Sequence, residues 1–222
     1  MRQKSERTTL VPMPRLANLL RVASAWEAEF ARNKQLHGAK IQCRRGCTDC
    51  CHHLFRITEL EAALISTAVK NLPPERRIPL QERARQYALD REKLLSDQQV
   101  TDAWGNLPPP GLRLACPALK DGACQIYEHR PLICRKYGMP LYNPVKPDRV
   151  FACELNFQPG EEIDDPQLVQ IHTGLYHQAV DVQAEYNQQG GRRDPKPINV
   201  ARAILEDFEE YLPKQPPPSP KS

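Results

Sequence analysis

The feature that most limits how this chain can fold is a set of eight cysteines in two sequence blocks. The first block has the spacing C-x3-C-x2-C-C, and the second, later in the chain, has C-x7-C-x9-C-x18-C. Thiols this close together oxidise easily and compete for metals, so we expect the fold to give them a common use. The eight cysteines are Cys43, Cys47, Cys50, Cys51, Cys116, Cys124, Cys134 and Cys153.

The cellular compartment decides between disulfides and metal for these thiols. The first residues, MRQKSERTTLVPMPRLANLL, lack the apolar core of a signal peptide. No apolar run in the chain approaches about 20 residues, the length of a membrane-spanning helix. We therefore expect a cytoplasmic protein that has no membrane partner. Disulfides are rare in a reducing compartment, so metal binding or thiol chemistry is the main expectation.

The charge of the chain argues against a nucleic-acid partner. The 222 residues carry 31 basic and 27 acidic side chains, for a formal net charge of +4. They lack the concentrated basic stripe that is typical of nucleic-acid binders. Arg44, Arg45 and Arg56 flank the first cysteine block, and we expect them to depress the thiol pKa values. A protein partner stays open, because nothing in the sequence identifies one.

The apolar periodicity predicts a mostly α fold, a single helical domain with an irregular cysteine-rich metal-binding centre and short flanking tails, and no segment shows clear strand alternation. Thr58 and Glu61 form a predicted capping box, and Asp165 a predicted N-cap before Pro166. The predicted helices cover about 14–34, 58–72, 73–104, 165–186 and 198–212, with a linker at 188–197. The expected organisation is a flexible tail 1–13, a cysteine-cluster domain 14–212 and a disordered proline-rich tail 213–222.

The cysteine spacing leaves two kinds of metal centre open. A structural zinc site prefers paired C-x2-C knuckles, and only Cys47 and Cys50 have that spacing. An iron–sulfur cluster accepts more scattered thiolates, so it is the preferred cofactor, although eight thiolates could also hold two zinc ions. On a helix, Cys50 and Cys51 would diverge by about 100° and would hardly bind one ion together. All eight cysteines are candidate metal ligands; buried apolar thiols, disulfides and a redox relay are the weaker alternatives.

Both blocks resemble one known family. CRRGCTDCC, then ITELEA with Glu61, and later CPALKDGACQIYEHRPLICRKYG resemble the YkgJ-type cysteine-cluster family, which is described as zinc- or iron-chelating. The likeness spans about residues 41–138, and the family-like core is expected to extend over about 41–153. Two positions depart from the pattern: Ala118 stands where a larger apolar residue is common, and Tyr137-Gly138 where an aromatic-proline pair is common.

Two arginines and several histidines are further candidates for the site. Arg130 and Arg135 are predicted to bind the cofactor by donating hydrogen bonds to its sulfur atoms. The equal alternative is that both pair with carboxylates such as Glu128. His52 and His53 follow the first block, but eight cysteines make them unnecessary as ligands. Two later histidines, His172 and His177, are expected to be solvated or capping residues.

Three hypotheses for the function follow from these observations. The first is a metal-binding protein that holds an iron–sulfur cluster, or zinc, through thiolates from both blocks. The second comes from the resemblance alone: relatives similar to flagellin lysine methylases imply a lysine N-methyltransferase-like enzyme that uses S-adenosylmethionine. The third is a structural adaptor module that zinc stabilises and that binds an unknown protein.

Overall fold

The computed structural model describes residues 16–44, 46–97, 111–142, 150–151, 153–158, 161 and 165–213. Helices dominate this part of the chain, so the prediction of a mostly α fold is confirmed. The predicted tail 1–13 and nearly all of the predicted tail 213–222 lie outside the described residues. The helices are α1 (Ala17–Leu36), α2 (Glu59–Lys70), α3 (Pro74–Asp97), α4 (Leu132–Lys136), α5 (Pro166–Gln188) and α6 (Val200–Leu205).

Two predicted helix starts are confirmed in detail. The backbone N–H of Glu61 donates to Thr58 Oγ1 at 3.3 Å, and Glu61 Oε2 accepts from the Thr58 N–H at 2.7 Å, which completes the capping box of α2. At α5, Asp165 Oδ1 accepts from the Gln167 N–H at 3.0 Å, and Pro166 occupies the first turn. Both helices therefore begin where local side-chain chemistry satisfies their first N–H groups.

Four short strands lie in the second cysteine block, where the sequence showed no strand alternation. Strands β1 (Leu119–Lys120) and β2 (Ala123–Cys124) form one antiparallel pair, and β3 (Leu141–Tyr142) and β4 (Val150–Phe151) form another. Two-residue strands are too short to show alternation of apolar and polar residues. The turn between β1 and β2 is Asp121-Gly122, with φ of 50° and 70°, and this Asp-Gly pair is the sequence signal of a tight hairpin.

The predicted last helix, 198–212, is broken in the structure. Helix α6 ends at Leu205, Glu206 is extended, and a 3-10 turn follows at Glu209–Tyr211. The break buries the Phe208 ring completely, while the Phe208 N–H donates to Ser66 Oγ on α2 at 3.3 Å. Burial of a Phe side chain contributes about 1.5–3 kcal/mol, enough to outweigh two helical hydrogen bonds.

One apolar core joins the helices on both sides of the cysteine-rich centre. Its buried residues run from Leu16 in the turn before α1 to Leu212 after the last 3-10 turn. Helix α6 packs on α2 and α3, and α1 packs on α4 and α5. Among the described helices, none combines the length and apolar character that crossing a membrane requires. The cysteine-rich centre therefore rests on a helical frame built from the whole described chain.

Candidate metal centre

A cavity of about 540 Å³ lies where the two cysteine blocks meet. Its walls come from the loop before α2, the β1–β2 hairpin and helix α4. The structure brings seven of the eight cysteines to this cavity from both blocks. The cysteines that line it are Cys43, Cys47, Cys50, Cys51, Cys116, Cys124 and Cys134.

The first block is a loop that ends in a 3-10 turn, Asp49–His52, rather than an α-helix. The Cys47 N–H donates to the Arg44 carbonyl and the Cys51 N–H to the Thr48 carbonyl, both at 2.9 Å. Cys50 and Cys51 both line the cavity, and their thiols hydrogen-bond to each other. The expected divergence assumed an α-helix, and both cysteines instead lie in a 3-10 turn and line the same cavity.

Backbone hydrogen bonds hold the second block against the first. The Cys116 N–H donates to the Cys51 carbonyl at 2.7 Å, and the Leu114 N–H donates to the His52 carbonyl at 2.9 Å. Cys124 lies on β2 and pairs with Leu119 across the hairpin. These bonds set the distance between the blocks by main-chain geometry, which the cysteine spacing alone does not encode.

Glu61 connects helix α2 to the helix that carries Cys134. Its Oε1 accepts from the N–H of Leu132, the first residue of α4, at 2.7 Å. Its Oε2 belongs to the capping box of α2, and the side chain is buried. The sequence predicted only the capping role, because the contact with Leu132 joins residues 71 positions apart.

Cys153 lies beside the first block but is not among the residues that line the cavity. It is buried, and its thiol is 3.8 Å from Asp49 Oδ2. The thiols of Cys43 and Cys47 are close enough to raise its pKa, after burial as the main cause. Asp49 is itself held by Arg113, whose Nη2 donates to Oδ1 at 2.7 Å.

Burial and repulsion between thiolates raise the pKa of several cavity thiols in the metal-free protein. Burial raises the pKa of Cys116 to about 12 and also raises the pKa of Cys134 well above its ordinary value. For Cys50, the hydrogen bond with Cys51 and then burial raise the pKa. Burial also raises the pKa of Cys43 and of Cys124, so the prediction of depressed thiol pKa values is wrong. A bound cation reverses this balance, since it favours thiolates.

Arginines of the second block act on thiols of both blocks. Arg130 lowers the pKa of Cys50 and of Cys124, although larger effects raise both. Arg44 lines the cavity, Arg56 is exposed and Arg45 lies outside the described residues. From the sequence, this effect was expected of the arginines that flank the first block, and the contribution of Arg130 to it was not predicted.

Arg130 and Arg135 line the cavity and share one carboxylate. Glu27 Oε1 on α1 accepts from Arg130 Nη2 at 2.6 Å and from Arg135 Nη1. Glu128 contributes its backbone carbonyl, which accepts from Arg135 Nη2 at 2.8 Å. The guanidinium of Arg130 lies 3.7 Å from the centre of the Tyr127 ring. Both arginines therefore pair with a carboxylate, as the alternative expected, but the carboxylate is that of Glu27 and not of Glu128. The sequence did not point to Glu27.

One donor of Arg130 remains without a partner in the described structure. Its Nε is buried and makes no hydrogen bond. Because Arg130 lines the cavity beside Cys50 and Cys124, this N–H can serve an acceptor inside the cavity.

The histidines next to the first block have protein partners. His52 Nδ1 lies 2.9 Å from the Thr48 carbonyl, so this nitrogen carries the proton. His53 Nε2 lies 2.6 Å from the Tyr137 hydroxyl, and its ring stacks on Phe55. His172 is fully buried beside Trp26, so its expected place in solvent is wrong.

The donor chemistry of the cavity fits either zinc or iron–sulfur. Seven thiols are soft ligands of the kind that both centres use, and Arg130 adds a positive charge beside them. Within the described residues, no three His, Cys, Asp or Glu side chains already stand in the arrangement of a single metal ion. Thiol side chains would therefore rotate when a metal group enters.

Residues 42–151 match the sequence profile of a family described as "CxxCxxCC: Putative zinc- or iron-chelating domain". Residues 42–151 therefore carry the cysteine-cluster domain of this family. The match contains all seven cysteines that line the cavity and ends before Cys153. Searches of curated proteins and of solved structures found no match. Metal chelation is what this family's description supports, and the two metals it names are the two that the sequence left open.

Proposed function

We propose that this protein holds an iron–sulfur cluster through cysteine thiolates from both sequence blocks. The observation that carries the proposal is the convergence of seven thiols on one cavity of about 540 Å³. An iron–sulfur cluster is larger than a single ion and takes thiolates from several directions, as the walls of this cavity offer. Zinc bound by subsets of the same thiols is the alternative.

The residues around the thiols suit a cluster with changing charge. When bound, the cluster would supply one-electron redox chemistry. Arg130 and Arg135 would offset its negative charge, and the unpaired Nε–H of Arg130 would donate to a sulfur atom. Phe55 and Tyr137 line the cavity and would limit the access of water, which also influences a cluster's potential.

The test is purification under nitrogen without added metal, followed by an absorption spectrum and elemental analysis of iron, zinc and acid-labile sulfide. We expect a brown protein with sulfur-to-iron charge-transfer bands and with iron and sulfide in similar amounts. Zinc without sulfide would refute the cluster and support the zinc alternative. Neither metal in stoichiometric amount would refute metal binding altogether.

A matched pair of variants tests whether Arg130 influences the midpoint potential of the cluster. Arg130 stacks on Tyr127 and pairs with Glu27 at the cavity, while Arg192 stacks on Tyr211 and pairs with Glu210 away from the cavity. We expect Arg130→Met to lower the midpoint potential of the cluster, because a positive charge near the cluster favours its reduced form. Arg192→Met should leave the potential unchanged. Equal potentials in the two variants would refute a contact between Arg130 and the cluster.

A further inference from the structure

Asn156 lies beside the first cysteine block, and both the oxygen and the nitrogen of its side-chain amide make hydrogen bonds. Its side chain is buried, with 2% of its surface exposed. Its Oδ1 accepts from the Gln42 N–H at 2.8 Å, and its Nδ2 donates to the Gly138 carbonyl at 2.7 Å. The same Nδ2 is 3.3 Å from the Cys43 sulfur and donates to it. Asn156 thus connects three separate segments of the site.

The orientation of this amide follows from its partners. A backbone N–H only donates and a backbone carbonyl only accepts, so Oδ1 must face Gln42 and Nδ2 must face Gly138. One N–H of Nδ2 is used by the carbonyl, and the other is left for the Cys43 sulfur. The N–H···S contact is therefore fixed by two backbone groups.

Gly138 makes room for this contact. Its φ of +100° lies in a region that other residues rarely adopt. A Cβ at this position would lie 2.8 Å from Asn156 Nδ2 and 3.1 Å from Cys43 Sγ. A side chain here would push the amide and the sulfur apart. The close approach of Asn156 to Cys43 thus requires glycine at position 138.

The segment that carries Asn156 is tied to the residues before the first block. The Asn156 N–H donates to the Cys153 carbonyl at 2.9 Å, and the Phe157 N–H donates to the Lys40 carbonyl at 3.0 Å. Phe157 has a φ of 49°, a left-handed conformation that a bulky residue adopts only when its surroundings hold it there. This segment lies beyond residue 151, where the family match ends.

We propose that Asn156 is a positioning residue of the metal centre, which orients the Cys43 sulfur and tunes its donation through the N–H···S hydrogen bond. This inference rests on the proposed function, because Cys43 must bind the metal for the bond to matter. A hydrogen bond to a ligand sulfur withdraws electron density from it and raises the reduction potential of the centre. Gly138 supports the same bond by leaving space for it.

The test compares Asn156→Ala and Gly138→Ala with a control, Asn199→Ala. Asn199 caps α6 through an N–H···O bond with Arg202 at 3.1 Å, and is not among the residues lining the cavity. In the metal-loaded proteins, the sulfur-to-metal charge-transfer band and the rate of metal loss to a chelator are measured. A colourless protein is first exchanged with Co²⁺. Circular dichroism checks the fold of each variant.

We expect both site variants to shift the band to longer wavelength, because a sulfur without its donor gives up electrons more easily. They should also lose metal about 10–100-fold faster, while Asn199→Ala behaves as the wild type. A second substitution, Asn156→Asp, keeps the acceptor for Gln42 and removes the donor, so it gives the same readout if the alanine variant does not fold.

Unchanged band positions and rates in folded, metal-loaded site variants would overturn the role of Asn156 and leave the proposed function intact. The same shift in Asn199→Ala would also overturn it, since the effect would then come from general loss of stability. A wild-type protein that holds no metal would overturn the proposed function, and with it any positioning role.

Discussion

Replacing Glu61 by Gln tests how the helical frame holds the metal centre. The carboxylate accepts three hydrogen bonds: Thr58 N–H at 2.7 Å and Thr58 Oγ1 at 3.0 Å reach Oε2, and Leu132 N–H at 2.7 Å reaches Oε1. Gln keeps the shape but has only one acceptor oxygen. Whichever way the amide turns, one backbone N–H of Thr58 or Leu132 faces an NH₂ group.

The cost of Glu61→Gln has two parts. A buried donor that loses its acceptor costs about 1–3 kcal/mol. Removal of a negative charge from the first turn of α2 costs about 0.3–1 kcal/mol more. We therefore expect a loss of about 1–4 kcal/mol in the free energy of unfolding. For a chain of this length, each kcal/mol lowers Tm by about 2–4 °C.

The assay is urea unfolding of the metal-free protein, with two comparison variants. Glu75→Gln makes the same change at an exposed position in the first turn of α3 and should cost only the loss of that charge, about 0.3–1 kcal/mol. Thr58→Ala removes the N-cap of α2 alone and should cost about 0.5–2 kcal/mol.

Metal retention then separates the two roles of Glu61. The variant Glu61→Gln should also lose metal faster than Thr58→Ala, because Glu61, and not Thr58, accepts from the first N–H of α4, which carries Cys134. A change in stability below about 0.5 kcal/mol would contradict the assignment of Glu61 as a buried acceptor. Equal metal retention in the two variants would contradict its role in holding α4.

Three further predictions concern pH, ligands and metal. Burial lowers the pKa of His172 to about 4, so between about pH 6.5 and 4 only the unfolded chain takes up this proton, and the free energy of unfolding should fall by about 3 kcal/mol. In urea unfolding, His172→Gln should flatten the dependence of this free energy on pH, and identical pH dependences of wild type and variant would contradict this. Elemental analysis should show that Cys134→Ser loses more metal than Cys153→Ser, because only Cys134 lines the cavity; the reverse order would place the centre beside Cys153. A chelator should lower Tm, by the equivalent of about 4 kcal/mol for metal at a thousand times its Kd, and an unchanged Tm would show that metal does not stabilise the fold.

Local chemistry explains which parts of the fold could be predicted. The caps at Thr58 and Asp165 depend on contacts within three residues, so the sequence encodes them directly. The hairpin at Asp121-Gly122 has the same kind of local signal, which apolar periodicity does not reveal. The break in the helix before Phe208 has no local sequence signal, because it depends on packing of the Phe208 segment against α2, far away in sequence.

The sequence by itself determined the chemistry of this protein: soft thiol donors in two blocks, a helical frame and arginines in the second block. Only the tertiary structure decided which thiols share a cavity and which groups surround them. The contact of Glu27 with Arg130 spans 103 positions of the chain, and that of Glu61 with Leu132 spans 71. The contact of Asn156 with Cys43 spans 113 positions. Such contacts depend on how helices and loops pack, and packing is set by the whole core rather than by the spacing of any motif.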